Sequence, residues 1–92
     1  MNKLTLYDFT AEWCGTCKPV ERMIDTEIKP KYSDRIDIMK VDIHKGMELA
    51  KKFHILSVPT VILCNQTGDI LLRKSGEIKL QDIERAITKG LS

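Results

Sequence analysis

The sequence predicts an α/β fold, a four-stranded mixed sheet in β-α-β-α-β-β-α order with helices on both faces. Three observations carry this. The first β-rich run, Leu4 to Phe9, has apolar residues on both of its faces, the mark of a central strand covered from each side. Runs with helical spacing then alternate with β-rich runs, which calls for parallel strands joined by a crossover helix. Near the C-terminus two β-rich runs flank a turn containing Gly68, the pattern of an antiparallel hairpin.

Taken in order, Leu4, Leu6 and Asp8 fall on one face of the first strand and Thr5, Tyr7 and Phe9 on the other. From Pro19 onward Val20, Met23, Ile24 and Ile28 recur at helical spacing, and a helix is expected to end at Lys29, because the residue before Pro30 disfavours the α conformation. Ile36 to Val41 reads as a second strand and Gly46 to Phe53 as a short helix. Thr60 to Cys64 and Ile70 to Arg73 form the hairpin around residues 65–69. Leu80, Ile83, Ala86 and Ile87 mark a closing helix, expected to stop near Gly90.

At 92 residues, 42% hydrophobic and 30% charged, the chain has room for one core, and residues 1–92 are expected to form a single domain. The net charge is +2, with Lys and Arg interspersed among Asp and Glu, so no basic stripe offers itself to nucleic acid or to an anionic membrane. The N-terminal residues lack an apolar block of signal-peptide or membrane-span length, and a cytoplasmic location is expected.

Chemistry concentrates at Cys14 and Cys17, between the first strand and the first helix. In a reducing cytosol a Cys-x-x-Cys pair is redox-active or metal-binding rather than a permanent staple. Zinc would need a second ligand pair, and only Cys64, His44 and His54 remain, scattered singly, so no metal and no bound cofactor are expected. At the start of a helix, unpaired N–H groups and the helix dipole favour a thiolate on the first cysteine. Cys14 is therefore expected to be the attacking nucleophile and the more exposed of the pair, with Cys17 closing the disulfide. Asp8 is a carboxylate on a strand destined for burial, where its pKa would rise. Cys64, in an apolar strand, reads as an inert core cysteine, and His44 and His54 as surface residues.

The run Asp8-Phe9-Thr10-Ala11-Glu12-Trp13-Cys14-Gly15-Thr16-Cys17-Lys18 resembles the thioredoxin signature Asp-Phe-Trp-Ala-x-Trp-Cys-Gly-Pro-Cys-Lys, and Phe53 to Thr60 resembles the segment bearing that family's cis-proline. The resemblance implies a redox-active Cys14–Cys17 disulfide, Asp8 as proton acceptor for Cys17, and Lys40 as the buried lysine near that aspartate. It implies a substrate face made by Trp13, Gly15, Thr16, Val58, Pro59 and Gly76, with a cis bond before Pro59 and peptide pairing along Val58. Read without the resemblance, Asp8 could cap a turn, Lys40 could point to water, Ser57 to Thr60 could be an ordinary proline turn, Gly76 a turn residue and Trp13 plain packing. Three departures from the pattern stand out. The family's first strand and helix are missing, leaving the strand at Ile36 on an edge. Thr16 replaces proline between the cysteines, and Thr10 replaces a tryptophan. Pro19 is also unusual in position.

The function implied is reduction of disulfides in protein substrates through a mixed disulfide, by a monomer that a flavin-dependent thioredoxin reductase or similar donor re-reduces. The alternatives are a glutathione-dependent, glutaredoxin-like enzyme and a non-catalytic binding module of the same fold. Gly15-Thr16 in place of Pro-Tyr, and Ser75-Gly76-Glu77 in place of paired glycines and an aspartate, speak against glutathione.

Overall fold

The structure, a computed structural model, describes residues 4–92. Strands β1 (Leu4–Thr10), β2 (Ile36–Asp42), β3 (Thr60–Asn65) and β4 (Ile70–Ser75) form one sheet in the order β2-β1-β3-β4. β1 runs parallel to β2 and antiparallel to β3, while β3 and β4 form the hairpin. β1 is thus central and β2 lies at an edge. The register sets Asp8 opposite Lys40 on one side and Val61 on the other.

Side-chain alternation along β1 divides the core. Leu4 and Leu6 join Val20, Ile24, Ile28, Ile36, Val61, Leu63, Ile83 and Ile87 on one face. Phe9 joins Val41, Phe53, Ile62 and Cys64 on the other. Burying an aliphatic side chain in this way is worth about 1.5–3 kcal/mol, so the two faces hold the central strand in register. The first face is covered by α1 (Cys17–Met23), α2 (Lys29–Tyr32) and α4 (Leu80–Leu91), the second by α3 (Met47–Lys52).

One helix end departs from expectation. The first helix does not stop at Lys29. A π-helical turn, Ile24–Ile28, follows α1 and leads into α2, which carries Pro30 in its first turn. There a missing N–H leaves no gap in the ladder, and the wider turn before it makes room for the ring. The extension lets Tyr32 reach the core edge, where its hydroxyl donates to Glu84 Oε2 at 2.8 Å. α4 ends at Leu91, near Gly90 as expected, with the glycine as its last residue but one. A Cβ at this position would lie 2.8 Å from Leu71 Cδ1 and 2.9 Å from Leu4 Cδ1, so glycine is used for close approach to the sheet rather than as a stop.

Candidate active site

The site assembles at the carboxyl ends of the parallel strands β1 and β2, where open α/β sheets place their chemistry. After β1 the chain turns through Ala11 to Thr16, with Cys14 N donating to Ala11 O and Cys17 N to Cys14 O. Cys17 is the first residue of α1, so Cys14 stands one turn ahead of the helix. The two form a disulfide with Cα atoms 5.4 Å apart. Both are buried, Cys14 at 5% exposure and Cys17 at 1%, so the outer sulfur is only slightly the more accessible. Around them Ala11, Ile43 and Val58 form an apolar collar. Thr16 Oγ1 lies 3.5 Å from Cys14 Sγ.

The Val58–Pro59 peptide bond is cis, and it brings Val58 against the cysteines. The loop that carries it is tied at both ends. Thr60 Oγ1 donates to Ser57 O at 2.7 Å and lies 2.8 Å from Ser75 Oγ, while Arg73 donates to Phe53 O at 2.5 Å and to His54 O at 2.9 Å. Gly76, at φ 75°, donates its N–H to Pro59 O at 3.1 Å, so the glycine lies beside the proline in a conformation that other residues rarely adopt.

Asp8 is buried on the α1 side of β1, and its Oδ1 has no hydrogen-bond partner among the described residues. It lines a cavity of about 290 Å³ with Ile24, Asp25, Lys29, Ile38 and Lys40. Burial, then the Glu21 carboxylate, push its carboxyl up from 3.8 to about 6; Lys40 pulls the other way, and Asp25 adds to the rise. Lys40 corrects the sequence reading. It is half exposed rather than buried, and its Nζ pairs with Glu21 Oε1 at 3.8 Å. β2 lies at the edge of the described sheet, which leaves the lysine open to solvent, and the helix carboxylate of Glu21 competes for it. Glu21 also accepts a hydrogen bond from Thr10 Oγ1 at 3.4 Å, which places Thr10 in this polar group.

Trp13 does not pack closely beside the dithiol. It is 69% exposed, and its indole N–H donates to His44 Nε2 at 3.1 Å. Gly15 and Thr16 are exposed next to it. Sequence reasoning passed over His44, Glu21 and Thr60. Each left a signal. His44 follows the end of a parallel strand, Glu21 is one helical turn beyond Cys17, and Thr60 follows the proline. Cys64, as expected, is buried, with its thiol pushed up by burial. Among the described residues no cluster of His, Cys, Asp and Glu is arranged to hold a metal, and no helix is long and apolar enough to cross a membrane.

This geometry invites comparison with known proteins, and the Thioredoxin family model matches residues 1–89. The chain belongs to the thioredoxin family. It is 33% identical over 88 residues to thioredoxin H2 of Arabidopsis thaliana, covering 96% of this chain and 63% of that protein. It spans 57% of a second thioredoxin from that plant, H8, so about six-tenths of the length of these relatives is represented. A bifunctional thioredoxin reductase/thioredoxin of Mycobacterium leprae is 39% identical over 62 residues, 67% of this chain and 13% of that one. Among solved structures, thioredoxin-2 of the malaria parasite superposes with a TM-score of 0.84 at 33% identity, covering 96% of this chain and 84% of that one. The thioredoxin assignment accounts for the mixed sheet and for the cysteine pair at the end of β1.

Proposed function

We propose that the chain is a thiol-disulfide oxidoreductase that reduces disulfides in protein substrates. The observation that carries the reading is the Cys14–Cys17 disulfide at the end of β1, in one apolar collar with Val58. In the reduced form, Cys14 thiolate attacks a substrate disulfide; one substrate sulfur leaves as a thiolate and a mixed disulfide remains. Cys17 then loses its proton to Asp8, attacks Cys14 Sγ, and expels the second substrate sulfur. Two electrons pass to the substrate, and the protein is left with the disulfide present in this structure.

Asp8 suits the role of base because a carboxyl held near 6 is ionised at neutral pH and still basic enough to take a proton. Lys40, tied to Glu21, acts on Asp8 only through its charge. Trp13, Gly15, Thr16, Val58, Pro59 and Gly76 make up the substrate face, with a peptide segment pairing along Val58. The electron donor is a flavin-dependent thioredoxin reductase or similar, a reading supported by the fused reductase of the mycobacterial relative. The same reading takes the chain as a single-domain monomer working in the reducing cytoplasm, where an exchanging Cys-x-x-Cys pair is in place.

The test is capture. Cys17→Ser, reduced and mixed with insulin as disulfide substrate, should accumulate a mixed disulfide through Cys14, detected by mass spectrometry and released by dithiothreitol. No adduct with this variant, while the unmodified chain reduces insulin, would remove Cys14 from the attacking role. No reduction by either would remove the oxidoreductase reading.

A further inference from the structure

Trp13 directly precedes the attacking cysteine, and at 69% exposure little packing fixes its ring. What does fix it is one hydrogen bond, from the indole N–H to His44 Nε2 at 3.1 Å, with ring centroids 6.2 Å apart and planes tilted by 55°. The backbone that carries the imidazole is itself held. The His44 amide donates to Asp42 Oδ1 at 2.8 Å, and Ile43 N donates to Thr10 O at 3.0 Å. Beside that contact Lys45, the residue after His44, pairs with Glu12, the residue before Trp13, at 3.5 Å. Three links therefore join the end of β1 and the loop before Cys14 to the segment after β2, and the aromatic one ends on a histidine.

That ending has a chemical consequence. Indole can only donate, so His44 must accept through Nε2, which requires the neutral Nδ1–H tautomer; an imidazolium has no acceptor to offer. The charged groups around the imidazole are Asp42, at the end of β2, and the mutually paired Glu12 and Lys45. We propose that His44 is a positioning residue for substrate recognition: neutral, it holds Trp13 against the approach to Cys14 so that a protein substrate meets an ordered ring, and protonated, it lets Trp13 go. The proposal rests on the oxidoreductase reading for its kinetic consequence and on geometry alone for the tie itself.

Trp13 is the only tryptophan, so its fluorescence anisotropy reports the tie directly. Anisotropy of the oxidised chain is followed from pH 5 to 8, the interval in which imidazole changes charge. The comparison uses His44→Leu, which removes the acceptor, and His44→Gln, whose amide oxygen accepts but does not titrate. Every form also carries Asp8→Asn, so that Asp8 cannot contribute a transition of its own. The parent should lose anisotropy on acidification. His44→Leu should be low and flat throughout, and His44→Gln high and flat. With Asp8 intact and at pH 7.5, His44→Leu should raise KM for insulin by about three- to tenfold, the weight of one hydrogen bond, with kcat changed less than twofold, and His44→Gln should restore KM. A transition that survives in His44→Leu, or a KM equal in all three forms, overturns the proposal. If no form reduces insulin while the anisotropy series behaves as described, the oxidoreductase reading fails and the tie stands without its kinetic role.

Discussion

Replacing Asp8 with Asn should make the protein more stable at neutral pH, and by an amount the structure sets. The carboxyl is buried, Oδ1 is without a partner, and ionisation is deferred from 3.8 to about 6. In the unfolded chain Asp8 ionises through its ordinary range, whereas in the fold it stays protonated about two pH units longer. Its pKa is raised on folding, so its contribution is most favourable below pH 3.8 and is lost as the pH rises to about 6. At 1.36 kcal/mol per unit the loss is roughly 3 kcal/mol, constant above pH 6. Asn keeps the shape and cannot ionise. Urea unfolding of the oxidised forms should therefore give similar stabilities at pH 3.5 and an advantage of about 3 kcal/mol to Asp8→Asn at pH 7.5. For a domain of this size that amounts to roughly 10–20 °C in Tm. A variant less stable than the parent at pH 7.5, or an advantage independent of pH, would refute the reasoning. The same substitution should slow insulin reduction at pH 7.5 and abolish the rise in rate through pH 6 that ionisation of Asp8 produces, leaving a more stable but poorer catalyst.

Other perturbations probe the surrounding groups. Glu21→Gln removes a like charge facing Asp8 and frees Lys40, so the inflection in the pH–rate profile should move below 6; an unchanged or higher inflection would count against the Glu21 contribution. Thr16→Val deletes the hydroxyl 3.5 Å from Cys14 Sγ. A hydrogen bond to a charged group is worth about 1.5–3 kcal/mol, and this long sulfur contact should deliver less than half of that. Iodoacetamide alkylation of Cys14 should therefore shift upward, by at most about half to one pH unit, and an unshifted profile would show that the hydroxyl does not serve the thiolate. Gly90→Ala gains about 1 kcal/mol of helix propensity but drives a methyl onto buried Leu4, so the net effect in urea unfolding should be destabilising by about 1 kcal/mol, and a stabilised variant would show that Leu4 can yield.

Much of this site lay open in the sequence because it depends on short-range pattern. Alternation along Leu4 to Phe9 placed Asp8 on the buried face with Leu4 and Leu6, and the spacing of Cys14 and Cys17 set both sulfurs at the strand-to-helix turn. What escaped depends on competition between distant groups. Strand parity put Lys40 beside Asp8, but only the packed helix reveals that Glu21 takes the ammonium. His44 is the surface residue expected, but its contact with Trp13 was not legible because the partner is 31 positions away. The limit of the first helix, and the role of the glycine in the last, escaped for a related reason. Pro30 and Gly90 were read by local propensity, while a π-helical turn accommodates one and contact with Leu4 and Leu71 requires the other.

The double hold on the cis-proline loop has a consequence for how a partner is received. Arg73 grips the loop where it leaves α3, and Thr60 grips it where it enters β3, so the backbone at Val58 is already shaped before anything arrives. A docking segment then loses its own conformational freedom but imposes no further loss on this side of the interface. Leu56, 96% exposed, is the large apolar side chain that this loop leaves bare. A backbone fixed in this way has no ordering of its own left to do when another segment comes against it.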